Sequence, residues 1–266
     1  MYEITSATFI FLVLTVILAI TIPIAMLIVW KLRTKSKMMP AIAGAIIFVV
    51  FALILEGIPK AIFFTGDTAV SKYVLSHAWA YILLGTVLAG VFEETGRWVA
   101  FRFFLKKYQN KAASVMYGIG HGGIESILIL GMTGINYLAI AVMMQNGSID
   151  ALIAAAPQVQ SVNDTLAAIA GFGGTDCLLM VVERICAIVL HISLSIVVFE
   201  AVRQPKKSWM FPLAILLHMV FDVPAAMFQI GIITLPVCEA ILVAEAVAVG
   251  VIGYRVYRSL KTVIPE

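Results

Sequence analysis

Glu93, Glu94 and Arg97 lie in the stretch Val91-Phe92-Glu93-Glu94-Thr95-Gly96-Arg97, inside an apolar run from about Tyr73 to Leu105. Arg97 is four residues from Glu93 and three from Glu94, so on a helix it can reach either carboxylate. One glutamate can then be held ionised by the guanidinium while the other handles protons. His121 and Glu125 are four apart, as are His218 and Asp222, and each pair projects from one helix face. Imidazole beside carboxylate suits a divalent metal such as zinc, as two ligands or as one ligand and its orienting partner. The run Gly118-Ile119-Gly120-His121-Gly122-Gly123 strips side chains from around His121. That suits close helix packing and backbone access for an extended substrate.

These groups sit in an unusual solvent. Of 266 residues, 62% are hydrophobic and only 12% charged, against about half and a quarter in a soluble domain. The composition implies an all-α, polytopic membrane protein forming a single integral membrane domain over 1–266. Seven segments are long and apolar enough to cross: about 7–30, 40–64, 73–104, 112–144, 176–201, 208–229 and 233–254. Lys31, Arg33, Lys35 and Lys37 follow the first, and Arg102, Lys106, Lys107 and Lys111 the third. Arg203, Lys206 and Lys207 follow the fifth, and Arg255, Arg258 and Lys261 the seventh. The alternate connections carry only Lys60 and Lys72. The positive-inside rule therefore predicts an outer N-terminus and a cytoplasmic C-terminus. The first segment, without a basic leader, reads as an uncleaved span in the cell membrane.

The long connection 146–175 falls on the outer side, where one or two short interfacial helices are expected. Its Asn-Gly-Ser and Asn-Asp-Thr sequons are frequent by chance. Cys177, Cys186 and Cys238 are odd in number and scattered through apolar segments, which suggests packing roles. No basic, aromatic-interleaved surface speaks for nucleic acid. Membrane lipids and a membrane-associated peptide or protein are the expected partners.

Helical rise turns spacing into depth. Glu93 lies roughly 20 Å from Lys106, His121 roughly 15 Å from Lys111, His191 roughly 18 Å from Arg203, and His218 roughly 16 Å from Lys207. Four spans thus place an ionisable residue near one level, a little to the cytoplasmic side of the midplane. Glu125, Glu183, Arg184 and Asp222 come deeper. His77, the fourth histidine, falls near the outer end of its span, where it caps or anchors.

Ionisable side chains at such depth are costly and usually face protein or water. Their joint occurrence suits metal-assisted hydrolysis, with Glu93 or Glu94 as general base. The expected cofactor is a divalent metal, zinc foremost. The candidate metal ligands are His121, His191, His218 and Asp222, in a pocket between the third, fourth, fifth and sixth spans. The expected substrate is a peptide bond in a segment arriving from the bilayer or the cytoplasmic interface. Glu183 and Arg184 read as structural, with Arg184 balancing Glu125 or Asp222. Ser195, one turn beyond His191, reads as an inter-helix hydrogen bond.

At these residues the chain resembles a known group. Glu93-Glu94-Thr95-Gly96-Arg97, Tyr117-x-x-x-His121 and His218-x-x-x-Asp222 look like three motifs of the type II CAAX prenyl endopeptidase and bacteriocin-processing (CPBP) superfamily. Those motifs are Glu-Glu-x-x-x-Arg, Phe-x-x-x-His and His-x-x-x-Asn/Asp, in the same order. Gly118-x-Gly-His-Gly-Gly-x-Glu125 and Glu183-Arg-x-x-Ala-x-x-x-His191 resemble the YhfC branch of intramembrane metalloproteases. The resemblance implies a peptidase with Glu93 catalytic, Glu94 and Arg97 supporting it, and His121, His218 and Asp222 in the site. Two departures stand out. The first motif is one residue short, as in the PrsW family's Glu-Glu-x-x-Lys, which turns Arg97 about 100° around the helix and leaves its partner open. Tyr117 replaces Phe and offers a hydroxyl to the pocket.

Two other classes compete. A non-catalytic scaffold, like the seven-span subunit of γ-secretase that is thought to share this ancestry, has less reason to keep paired glutamates in lipid. An ion-coupled transporter also uses mid-depth charges, but the odd span count and the lack of obviously broken helices argue against it.

Overall fold

The computed structural model describes residues 4–149 and 159–260. Among these the fold is wholly helical: α1 Ser6–Thr34, α2 Met39–Thr65, α3 Ala69–Ser76, α4 Ala78–Phe104, α5 Ala112–Asn146, α6 Val159–Ala170, α7 Gly174–Arg203, α8 Met210–Gln229 and α9 Leu235–Ser259. Lipid supplies no hydrogen bonds, so each crossing satisfies its backbone internally. The ends carry the expected punctuation. The Thr5 hydroxyl accepts from the Thr8 amide at 3.1 Å, and Lys35 closes α1 in the left-handed region at φ 54°. Thr68 and Ser71 form a reciprocal cap on α3. Large apolar side chains such as Ile10, Leu32, Trp79 and Val247 point outward.

Among the described residues, six helices are long and apolar enough to span, or seven with the pair α3–α4. The expected third span, 73–104, is corrected by a 106° bend. α4 carries the apolar length of this segment, and α3 turns away from it at His77. The backbone of His77 is extended there, its Nδ1 lies 2.9 Å from the Tyr73 carbonyl, and its ring stacks on Tyr73 at 4.1 Å. His77 thus sits at the junction as an anchor. π-Helical turns interrupt α2, α4 and α5 at Phe48–Leu55, Ala61–Thr65, Ala100–Phe104 and Ile127–Gly131. Such turns shift a helix's register, often beside functional sites.

α7 is the central helix, buried along most of its length, with Leu190, Leu194, Val197 and Phe199 in the main core. α5 is clamped between α7 and α2 through glycines. A Cβ on Gly120 would lie 2.1 Å from the Ala41 carbonyl oxygen, and one on Gly118 2.5 Å from Ile192 Cα. Only a missing side chain lets these backbones approach so closely. The glycine run is therefore filled by neighbouring helices. The expected backbone track for substrate is corrected accordingly.

The connection 146–175 lies partly outside the described residues. Its described portion includes the short helix α6, which buries Leu166 and Ile169 and leaves Asp164 exposed. The three cysteines are free and buried, as packing residues would be.

Candidate active site

α4, α5, α7 and α8 bring Glu93, His121, His191 and His218 to one point. Oε2 of Glu93 is 2.9 Å from His121 Nε2, 3.9 Å from His218 Nε2 and 4.0 Å from His191 Nδ1. The rings of His121 and His191 are 4.6 Å apart and those of His191 and His218 5.5 Å. All three imidazoles are at most 2% exposed. A shared depth on four helices has become one cluster.

The two glutamates have different surroundings. Glu94 and Arg97 are fully buried. Glu94 Oε1 accepts from Arg97 Nη1, and His218 Nδ1 lies 2.7 Å from the same oxygen. Nη2 of Arg97 donates to His191 Nδ1 at 3.0 Å. Arg97 therefore joins Glu94 to His191, which answers the open question of its partner. Glu93 has no guanidinium contact and faces a cavity of about 700 Å³.

Carboxylates fix the ring orientations. His191 Nε2 contacts Glu125, whose other oxygen accepts from Arg184 Nη1 at 2.9 Å; Arg184 also binds Glu183. The expected balance of Arg184 against Glu125 is realised. His218 gives Nδ1 to Glu94 and turns Nε2 toward Glu93, with Asp222 at 3.6 Å. An imidazole with one nitrogen on a carboxylate and the other facing inward is the arrangement metal-binding histidines adopt. His218 fits this pattern; His191 departs from it because Arg97 already donates to its Nδ1, and His121 because its Nδ1 is buried without a hydrogen-bond partner.

The donor set fits a cation. Glu93, His121 and His191 offer ligand atoms all within 4.8 Å of one another. Two imidazoles beside a carboxylate suit zinc, with the carboxylate either a third ligand or a neighbouring base. His218 adjoins this group through Glu93. Asp222, 31% exposed, lies further out on the cavity wall.

Three expectations are corrected. The Tyr117 hydroxyl does not enter the cavity; it is fully buried without a partner, and its ring packs on Phe101 and His121. Ser195 makes no inter-helix bond, because its hydroxyl donates to the carbonyl of His191 one turn back. The pocket exceeds the four expected spans, since α2 contributes Lys60 and Phe64 and α9 contributes Leu242. Lys60 pairs at 2.6 Å with Glu56, which is only 1% exposed. Reading Lys60 only as a connecting-loop charge hid this pair, although its spacing of four residues inside an apolar span was a signal.

The geometry agrees with a match across most of the chain. The family model described as "YhfC intramembrane metalloprotease" matches residues 18–243. The chain belongs to the YhfC family. It is 31% identical over 242 residues to the "Uncharacterized membrane protein YhfC" of Bacillus subtilis (strain 168), covering 91% of this chain and 93% of that protein. No solved structure matches. A YhfC chain with six to seven candidate spans is a multi-pass membrane protein.

Proposed function

We propose that this chain is a metal-assisted intramembrane peptidase in which Glu93 is the general base. The observation that carries the reading is one carboxylate at a cavity floor, ringed by imidazoles from three other helices. His121, His191 and His218 would hold a divalent cation, zinc being the choice their nitrogens favour. When bound, such an ion polarises a carbonyl and makes a water more acidic. Glu93 takes a proton from a water in the cavity as the water oxygen bonds to the scissile carbonyl carbon, and passes that proton to the amine nitrogen as the C–N bond breaks. Glu125 and Glu94 hold His191 and His218 in orientation, and Arg184 and Arg97 pair with those carboxylates in turn. Asp222 lines the approach and positions His218.

The order of Glu93-Glu94, His121 and His218-x-x-x-Asp222 supports a wider relation to the CPBP and PrsW superfamily. Their convergence on one cavity is what a shared site would require. A carboxylate at the cavity floor that meets imidazoles and no guanidinium favours an enzyme over a scaffold, because a purely structural role would pair it with a cation, as Glu94 is paired with Arg97.

The test is the divalent-ion content of protein purified without chelators, alongside His121→Ala and His218→Ala variants. A stoichiometric ion in the parent, lost in both variants, with proteolysis abolished by Glu93→Gln, is the expected result. Retention of the ion in both histidine variants sinks the assignment.

A further inference from the structure

Among the described residues the cavity lining runs toward one end of the helices, and four of them agree on which. On α4 its lining runs from Glu93 back to Tyr81, toward the start of the helix, while Arg102 and Lys106 follow the other end. On α8, which runs the opposite way, the lining goes from His218 forward to Gln229, away from Lys206 and Lys207. α2 contributes only its last turns, through Thr65, far from Lys35 and Lys37. α7 contributes Glu183 to His191, the half remote from Arg203. Lys60, Thr65 and Gln229 are exposed at this mouth. From Tyr81 to Glu93 the helix rises roughly 18 Å, so the cavity reaches about halfway through a bilayer.

The other end is sealed. Beyond His121, Phe101 packs between Tyr117 at 4.8 Å and Phe199 at 5.2 Å, and all three are at most 4% exposed. Leu194, Ala214 and the Glu94–Arg97 pair beside them are wholly buried. None of these residues lines the cavity. The basic connections lie on the sealed side, and basic connections are retained in the cytoplasm.

We infer that the site is loaded from the extracytoplasmic side, by a protein segment lying outside the membrane or within its outer leaflet. Of the two routes expected from the sequence, the bilayer and the cytoplasmic interface, the cytoplasmic one meets the aromatic plug. The nature of what enters rests on the peptidase reading; the sidedness does not.

Single cysteines test it in the full chain. The native cysteines are buried, so the parent protein provides the blank. Gly85→Cys and Ala225→Cys lie inside the cavity, Thr65→Cys at its mouth, and Ser208→Cys beside Lys207 on the sealed face. Each is treated with a membrane-impermeant cationic methanethiosulfonate in right-side-out and in inverted vesicles. Labelling of the first three only in right-side-out vesicles, and of Ser208→Cys only in inverted ones, is expected. The inference is overturned if Gly85→Cys and Ala225→Cys label on the Ser208→Cys side. It is equally overturned if both stay unlabelled from either side while Thr65→Cys reacts. Two interior positions guard against one variant failing to fold, and no turnover is needed. Failure of proteolysis alone therefore removes the peptidase reading and leaves the sidedness standing.

Discussion

Glu94→Gln and Glu93→Gln should differ sharply in what they damage, although the substitution is chemically the same. Glu94 is fully buried and shares Oε1 between Arg97 and His218. Its amide keeps the shape and an acceptor oxygen but leaves Arg97 as a buried cation without a counter-charge. Breaking one partner of a buried ion pair costs about 3–5 kcal/mol. Glu93 contacts no guanidinium and opens on the cavity, so its amide weakens one hydrogen bond to His121, worth about 1 kcal/mol. The assay is reversible unfolding in mixed micelles titrated with a denaturing detergent, read by a helical signal. A gap of roughly 2–4 kcal/mol is expected, with Glu94→Gln the less stable. Glu93→Gln should remain folded and lose proteolysis. Adding Arg97→Met to Glu94→Gln removes the orphaned cation, and the two changes should couple by about 0.5–3 kcal/mol. A Glu94→Gln protein as stable as the parent, or a larger loss in Glu93→Gln, would refute the division of labour between the two carboxylates.

Glu125→Ala frees His191 Nε2 from its carboxylate, and a change of this kind lowers metal affinity roughly 10–100-fold. Zinc titration against a competing chelator measures it. Gly120→Leu cannot be accommodated beside Ala41 without parting α2 from α5. Overpacking of this kind costs about 1–3 kcal/mol, read by the same unfolding titration. Ser195→Ala should leave stability within about 0.5 kcal/mol and activity intact, because the hydroxyl only bonds back to the His191 carbonyl within its own helix.

The sequence shows most of the frame because the bilayer simplifies the problem. Apolar length marks the crossings, and helical rise places Glu93, His121, His191 and His218 at one level before any packing is known. What it could not show is rotation about each helix axis. Depth does not say that the Tyr117 hydroxyl turns away from the cavity, or that Ser195 bonds within its own helix. The break at His77 also escaped notice, since hydropathy runs on through the apolar residues of both α3 and α4. The glycines around His121 illustrate the same limit. Their absence of side chains signalled a close approach, but only the packed helices identify Ala41 and Ile192 as what approaches. Lys60 escaped because a charge near a span end looks like loop, whereas the π-turns of α2 carry it onto the cavity wall.

The shortened first motif moves Arg97 around its helix without breaking its ion pair. In Glu-Glu-x-x-x-Arg the arginine follows the second glutamate by four residues; in this chain it follows by three. Positions three and four along a helix both lie over the same side chain, so losing one residue leaves the second glutamate within reach. The observed Glu94–Arg97 pair is that outcome. The rotation of about 100° changes instead which neighbouring helix the far side of the guanidinium meets. Here it meets His191 on α7, through Nη2. That contact sends a donor into His191 Nδ1 and so settles the neutral ring's proton on Nε2, facing Glu125. A cation approaching Nδ1 competes with Arg97, whereas His218 Nε2 points to Glu93 and Asp222 with no guanidinium contact. The shorter spacing thus preserves the ion pair, and its consequence falls on the imidazoles, distinguishing His191 from His218 as hosts for a metal.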